Sequence, residues 1–209
     1  FEQMRVALQT TRDSQKDAEG QGAVLYSPPP PHSPTPNLLQ HCRRGTFLCH
    51  PDDPLVGQSL SLYGEWMEGE VALFQSLLRP GDTVIEAGAG IGAHTVMLAN
   101  AVGAGGSVWA IEPQRLPFQL LCANLALNGI TNTYTQNVDL GEVAGLTSLT
   151  NPKFFGEPKV DRIPVVTLDS LSPPTCRLIT LVVGETSLSA CKGAAAIVQH
   201  CQPVLYLRN

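Results

Sequence analysis

The chain has 209 residues, 43% of them hydrophobic, enough to bury the core of one ordinary domain with an extension. Thirteen basic against 18 acidic residues, with no basic cluster beyond Arg43-Arg44, lack the footprint of a phosphate-backbone binder, so nucleic acid is not an expected partner. Gly, Pro and charged residues interrupt every apolar run well short of the ~18 residues a spanning helix needs, so no transmembrane segment is expected and the chain reads as soluble or peripheral.

The six cysteines include no Cys-x-x-Cys pair, and reduced thiols are the default, which leaves the redox compartment open. The first residue is Phe1, which fits a precursor trimmed of a targeting peptide, and hence an organelle, as well as it fits a fragment.

Residues 1–26 are polar and lead into S-P-P-P-P-H-S-P-T-P-N, a run that favours extended polyproline structure and cannot join a helix or central strand. Residues 1–45 therefore read as an N-terminal arm and linker, with docking to a protein partner as the less common alternative, and 46–209 as the domain. His41 to His50, H-C-R-R-G-T-F-L-C-H, reads as strand and turn, because its His and Cys spacing matches no usual zinc pattern, and no metal ligand is assigned. From Gly64 to Leu78, Trp66, Met67, Glu70, Val71, Phe74, Leu77 and Leu78 fall on one stripe at helical spacing. Glu65 and Glu68 suit the positive first turn, and Arg79-Pro80-Gly81 stops the helix.

Strands and helices then alternate. An apolar strand at Thr83-Ile85 meets a glycine turn and a helix to about Val102. Then come strand Ser107–Ile111, helix Gln114–Asn128 and strand Thr133–Val138. A short strand is expected at Ile163–Thr167, kept near an edge by Pro164, and a buried strand at Leu178–Val183. A helix around Leu188–Gln199 and a strand Pro203–Leu207 complete the order. This pattern implies an α/β fold with a doubly wound, mostly parallel sheet.

The glycine turn E-A-G-A-G-I-G-A-H, Glu86 to His94, formally satisfies a dinucleotide fingerprint through Gly88, Gly90 and Ala93, with Glu112 at the end of the next strand. Glu86 discriminates between ligands. A carboxylate there repels a pyrophosphate but suits the ammonium of a methionine-like tail beside a sulfonium, which favours S-adenosylmethionine over a nicotinamide cofactor. Gly88, Gly90 and Gly92 allow close backbone approach, and Glu112 has two oxygens for two ribose hydroxyls. His94 reads as a structural residue at a helix start.

The segments Tyr63–Val71, Arg79–Val96, Trp109–Arg115, Asn124–Gly129 and Val166–Leu171 together resemble the FkbM family of class I methyltransferases, over roughly His50 to Asn209. The resemblance implies a Rossmann-like methyltransferase domain that moves a methyl group from S-adenosylmethionine to a hydroxyl oxygen of a small-molecule acceptor. It assigns Glu86, Gly88, Gly90, Gly92 and Glu112 to the cofactor, and places Asn137 to Asp139, with Asp139 as the candidate, beside adenine.

Aligned on Lys192-Gly193-Ala194, the chain departs from the family beyond its fourth strand. Thr180 stands for a Lys, Val182 for an Asp and Gly184 for a Glu, leaving Glu185 as the one nearby catalytic candidate. Arg208 stands where an acid is usual, and the sheet is expected to lack its final strands. Valine cannot take a proton, and a positioned base contributes typically 10²–10⁴-fold to a rate. The alternative to an active transferase is therefore an inactive methyltransferase-fold subunit of a larger complex, held by protein partners through its arm and open sheet edge.

Overall fold

The computed structural model describes residues 36–150, 152–153, 159–182 and 187–208. Residues 1–35 of the expected arm, together with Gly184 and Glu185, lie outside the described residues.

The described chain opens with an antiparallel hairpin, β1 (Leu38–Cys42) and β2 (Gly45–Cys49). A boundary at residue 45 therefore falls inside one supersecondary unit. Phe47 and Cys49 enter the core, so this hairpin belongs to the domain. Cys42 pairs with Gly45 and Cys49 with Leu38, which sets the two thiols at opposite ends of the hairpin; both are free.

A helix not expected from the sequence, α1 (Val56–Tyr63), comes first, and the helix expected over Gly64–Leu78 is α2 (Glu68–Leu77), which starts late. Gly64, at φ +67°, ends α1, and Met67 turns left-handed at φ +46° before α2 begins. Hence Trp66 and Met67 precede the helix, and Val71 and Phe74 carry its buried face. α1 places Val56 and Leu60 against the core, and its start is held by Asp53, whose carboxylate accepts the Leu55 and Gly57 N–H groups at 3.0 and 3.1 Å.

The sheet then builds as β3 (Thr83–Ala87), α3 (Ala93–Val102), β4 (Ser107–Ile111), α4 (Arg115–Leu127) and β5 (Thr133–Gln136). Pro117 is tolerated because it lies in the first turn of α4, where an N–H has no intrahelical acceptor. An insertion follows: β6 (Asp139–Leu140), β7 (Gly145–Thr150) and β8 (Val160–Val166) form a small separate sheet in the order β6-β8-β7. β6 and β7 were not expected, and β8 is longer than expected. Pro164 lies opposite Leu146 of β7, while β6 reaches only Val165 and Val166, so the other edge at Pro164 carries no ladder.

β9 (Leu178–Val182) and β10 (Val204–Arg208) return to the main sheet. The helix expected between them is split into α5 (Ser187–Lys192) and α6 (Ala195–Cys201) at Gly193. There is no room for a Cβ at Gly193 against the Gly141 carbonyl. The Asp169 carboxylate accepts the N–H groups of Ala196 and Ile197, restarting the second helix.

The main sheet has the order β10-β9-β3-β4-β5 with every pairing parallel, which is the doubly wound arrangement expected. Successive residues of β3 face opposite sides. Val84 joins a core with Phe74, Val96, Leu98 and Leu121, and Ile85 joins one with Ile111, Leu168, Ile179 and Ile197. The strand order reverses between β3 and β9, so a cleft is expected at their carboxyl ends. Among the described residues no helix is long and apolar enough to cross a membrane, and the outer side of β10 has no strand partner.

Candidate functional site at the carboxyl ends of β3, β4 and β9

Glu86 lies within β3 and is 5% exposed. Thr95 Oγ1, in the first turn of α3, donates to Glu86 Oε2 at 2.6 Å. Burial pushes this carboxyl up to about 7, against the Thr95 hydrogen bond and the Arg208 charge, while Glu112 adds to the rise. Beyond it the chain turns through Gly88, Gly90 and Gly92 at φ +85°, +58° and +88°. A Cβ on Gly88 would meet Val182 Cγ2 at 2.9 Å and one on Gly92 would meet Leu121 Cδ1 at 2.8 Å, whereas one on Gly90 would meet nothing within 4 Å. Gly88 and Gly92 thus serve packing within the protein, and Gly90 is the glycine open to approach from outside.

Glu112 follows β4. Its Oε2 accepts the Gly90 N–H at 2.7 Å and its Oε1 the Gln114 N–H at 2.8 Å, so each oxygen already has a backbone donor. The carboxylate therefore shapes the glycine turn. Burial raises it to about 7; the two backbone donors oppose the rise and Asp139 adds to it. Asn137 Nδ2 donates to the carbonyls of Glu112 and Pro113 at 2.8 and 3.0 Å, fixing the strand end. Asp139 begins β6, is buried, and accepts the Leu140 N–H at 2.8 Å.

These residues do not converge on one space. A cavity of about 90 Å³ is lined by Gly88, Pro113, Val138, Asp139, Val182 and Ala190, among others. A second, of about 10 Å³, lies against Glu86, Glu70, His94, Thr180, Tyr206 and Arg208. Leu181 and Val182 line both, so the structure places Gly88 and Asp139 on one side of β9's last residues and Glu86 on the other.

The smaller cavity holds a polar cluster that the sequence did not disclose. The Arg208 guanidinium comes within 3.7 Å of Glu70 Oε2, and His94 Nε2 lies 3.8 Å from the same oxygen without a hydrogen-bond partner. Burial pushes the His94 imidazole down to about 4, helped by Arg208, so it is neutral at pH 7 and its approach to Glu70 is not an ion pair there. Phe74 packs edge-on against both His94 and Tyr206. Thr180 and Val182, where the resemblance leads one to expect a Lys and an Asp, both face this space, and Glu185 lies outside the described residues. The Thr95 bond and the Arg208–Glu70 approach were missed; a hydroxyl nine residues after a buried acid, on the next helix, was the available signal for the first.

The sheet order, with an acid-flanked glycine turn at its point of reversal, defines a Rossmann-like α/β domain. No family model matches the chain, and no curated protein matches it. Solved structures similar to it include the methyltransferase FkbM from Methylobacillus flagellatus KT, 21% identical over 66% of this chain, with a TM-score of 0.47. A SAM-dependent methyltransferase from Aquifex aeolicus is 20% identical over 75% of this chain and 66% of its own, with a TM-score of 0.45. An rRNA methylase from Streptococcus thermophilus is 18% identical over 66% of this chain and 69% of its own, also at 0.45. The chain spans 40% of the length of the Methylobacillus protein, and these likenesses are of fold.

Proposed function

We propose that the chain is an S-adenosylmethionine-binding domain of methyltransferase type. The observation that carries this reading is the pair of buried acids, Glu86 and Glu112, at the ends of adjacent strands, with Glu112 bonded to the backbone of the turn between them. A buried carboxyl held at about 7 recovers its charge when a cation is brought beside it, which suits an ammonium or sulfonium and not a pyrophosphate. Glu86, Gly88 and Gly90 would hold the amino-acid end, Glu112 the ribose and Asp139 the base, with Gly92 setting the turn against α4. When bound, the cofactor supplies an electrophilic methyl group; by resemblance the acceptor is a hydroxyl of a small molecule.

The 90 Å³ beside Gly88 and Asp139 is below the roughly 300 Å³ of a typical ligand pocket, so occupancy requires the walls of this cavity to open. The small cavity favours a second reading, a non-catalytic subunit. Arg208, Glu70, Phe74 and Tyr206 leave space for about one water beside Glu86, and no acid of β9 faces it. In that reading the unpaired side of β10, where Leu205 and Leu207 are 45% and 53% exposed, and the proline-rich arm serve protein partners.

Calorimetry with S-adenosylmethionine, its demethylated product and NAD separates the readings. Heat with the first two and none with NAD supports the binding site; no heat with either class removes it. Transfer of labelled methyl to a panel of hydroxylated acceptors then distinguishes enzyme from subunit, and Val182→Asp asks whether an acid alone restores turnover.

A further inference from the structure

Asn124 is completely buried on α4, and its amide is fully committed. The Leu48 N–H donates to Asn124 Oδ1 at 2.7 Å, and Asn124 Nδ2 donates to the carbonyls of Leu48 at 3.1 Å and Ile91 at 2.7 Å. Both N–H donors are used on carbonyl oxygens, so the opposite amide orientation would set oxygen against oxygen; the observed one is the satisfied one. One helical turn later, the Thr46 N–H donates to Asn128 Oδ1 at 2.9 Å, and Asn128 Nδ2 donates to the Thr46 and Asn124 carbonyls, each at 2.7 Å. Residues 46 and 48 present their backbone groups on one side of β2, and two asparagines at i and i+4 replace a neighbouring strand there.

The two asparagines differ in one respect. Asn128 reaches only the hairpin and its own helix, whereas Asn124 also reaches Ile91, between Gly90, whose N–H is held by Glu112, and Gly92, which packs on Leu121 of the same helix. We infer that Asn124 is a positioning residue for the glycine turn, holding the Ile91 carbonyl so that the Gly90 N–H stays directed at the Glu112 carboxylate. Its bearing on ligand binding rests on the reading of that turn as the S-adenosylmethionine site.

The test compares Asn124→Asp, which keeps the size and the acceptor for Leu48 but removes the amide donors, with Asn128→Ala, which removes the hairpin contact and a bond to its own helix but no bond to the glycine turn. In the ligand-free protein, Asn124→Asp is expected to speed amide hydrogen exchange at residues 88–92 by about tenfold and to move the Glu112 carboxyl titration upward, as the Gly90 donor is lost. S-adenosylmethionine affinity is expected to fall by about tenfold. Asn128→Ala is expected to lower global stability without moving the turn's exchange relative to the rest of the domain, or the Glu112 titration. Equal changes in both variants, or none in Asn124→Asp, would overturn the inference. Asn124→Ala, made alongside, removes both donors without adding charge, so an upward Glu112 titration shared by the two Asn124 variants reports the lost Gly90 donor and not an added charge, and it carries the comparison if Asn124→Asp does not fold. A wild-type protein that shows no heat with S-adenosylmethionine removes the ligand reading, while exchange and titration still decide the positioning role.

Discussion

Replacing Glu86 by glutamine isolates the energetic consequence of burying an acid at the end of β3. Its carboxyl moves from 4.5 to about 7 on folding, chiefly through burial, and at about 1.4 kcal/mol per unit the ionised form costs the folded protein about 3 kcal/mol. The sign follows from proton counting: between pH 4.5 and 7 the folded chain keeps a proton that the unfolded chain has released. The contribution is therefore complete below pH 4.5, declines as pH rises to 7 and is absent above. Glu112 adds a parallel decline, and His94, whose imidazole falls from 6.5 to about 4, opposes both by losing stability as pH drops through that window. Glutamine retains an acceptor for Thr95 and removes only the Glu86 contribution, so comparing variants cancels the other groups. Urea denaturation of the ligand-free proteins should show Glu86→Gln gaining about 3 kcal/mol on the wild type between pH 4.5 and pH 8. A difference between the two proteins that is the same at both pH values would refute the argument that this carboxyl is held by burial. A cationic ligand reverses the effect: its affinity for the wild type should rise with pH up to about 7 and level off above, with proton release on binding below pH 7 that Glu86→Gln reduces.

Other residues give equally direct expectations. Gly88→Ala places a Cβ 2.9 Å from Val182 Cγ2 at φ +85° and should cost about 1–3 kcal/mol in thermal denaturation, part of it recovered in Gly88→Ala/Val182→Ala. Gly90→Ala meets nothing within 4 Å and should cost only the left-handed backbone penalty of about 1 kcal/mol; equal losses at the two glycines would show that Val182 does not matter. Arg208→Ala removes the charge that holds both Glu86 and His94 down, so the titrations of both groups, followed by NMR, should move upward together.

What could be read from the sequence depended on how far apart the interacting residues lie. The strand, glycine turn and helix from Thr83 to Val102 form one local unit, and the alternation through Gln136 dictates parallel crossovers, so the sheet and the acid-glycine turn were legible. The late start of α2 was not, because Met67 adopts a left-handed backbone that side-chain period does not report. Nor was β7, whose partner β8 lies beyond a long connection. The site divides the same way. Glu86 meets Thr95 across nine positions and Glu112 meets Gly90 across 22, both within one βαβ unit whose geometry is set in advance. Asn124 reaches back 76 positions to Leu48, and Arg208 reaches back 141 to Met67 beside the Glu70 cluster. The first kind of contact shapes the acid-glycine turn. The second kind brings α2, β9 and β10 together with α3 as the walls around Glu86. A pattern in the glycine turn is therefore legible from the turn itself, whereas the space beside Glu86 is set largely by residues that arrive from distant parts of the chain. In this protein Val182 stands where the pattern led one to expect an acid and Arg208 where another is usual, and the neutral His94 of the adjoining helix lines the same small space.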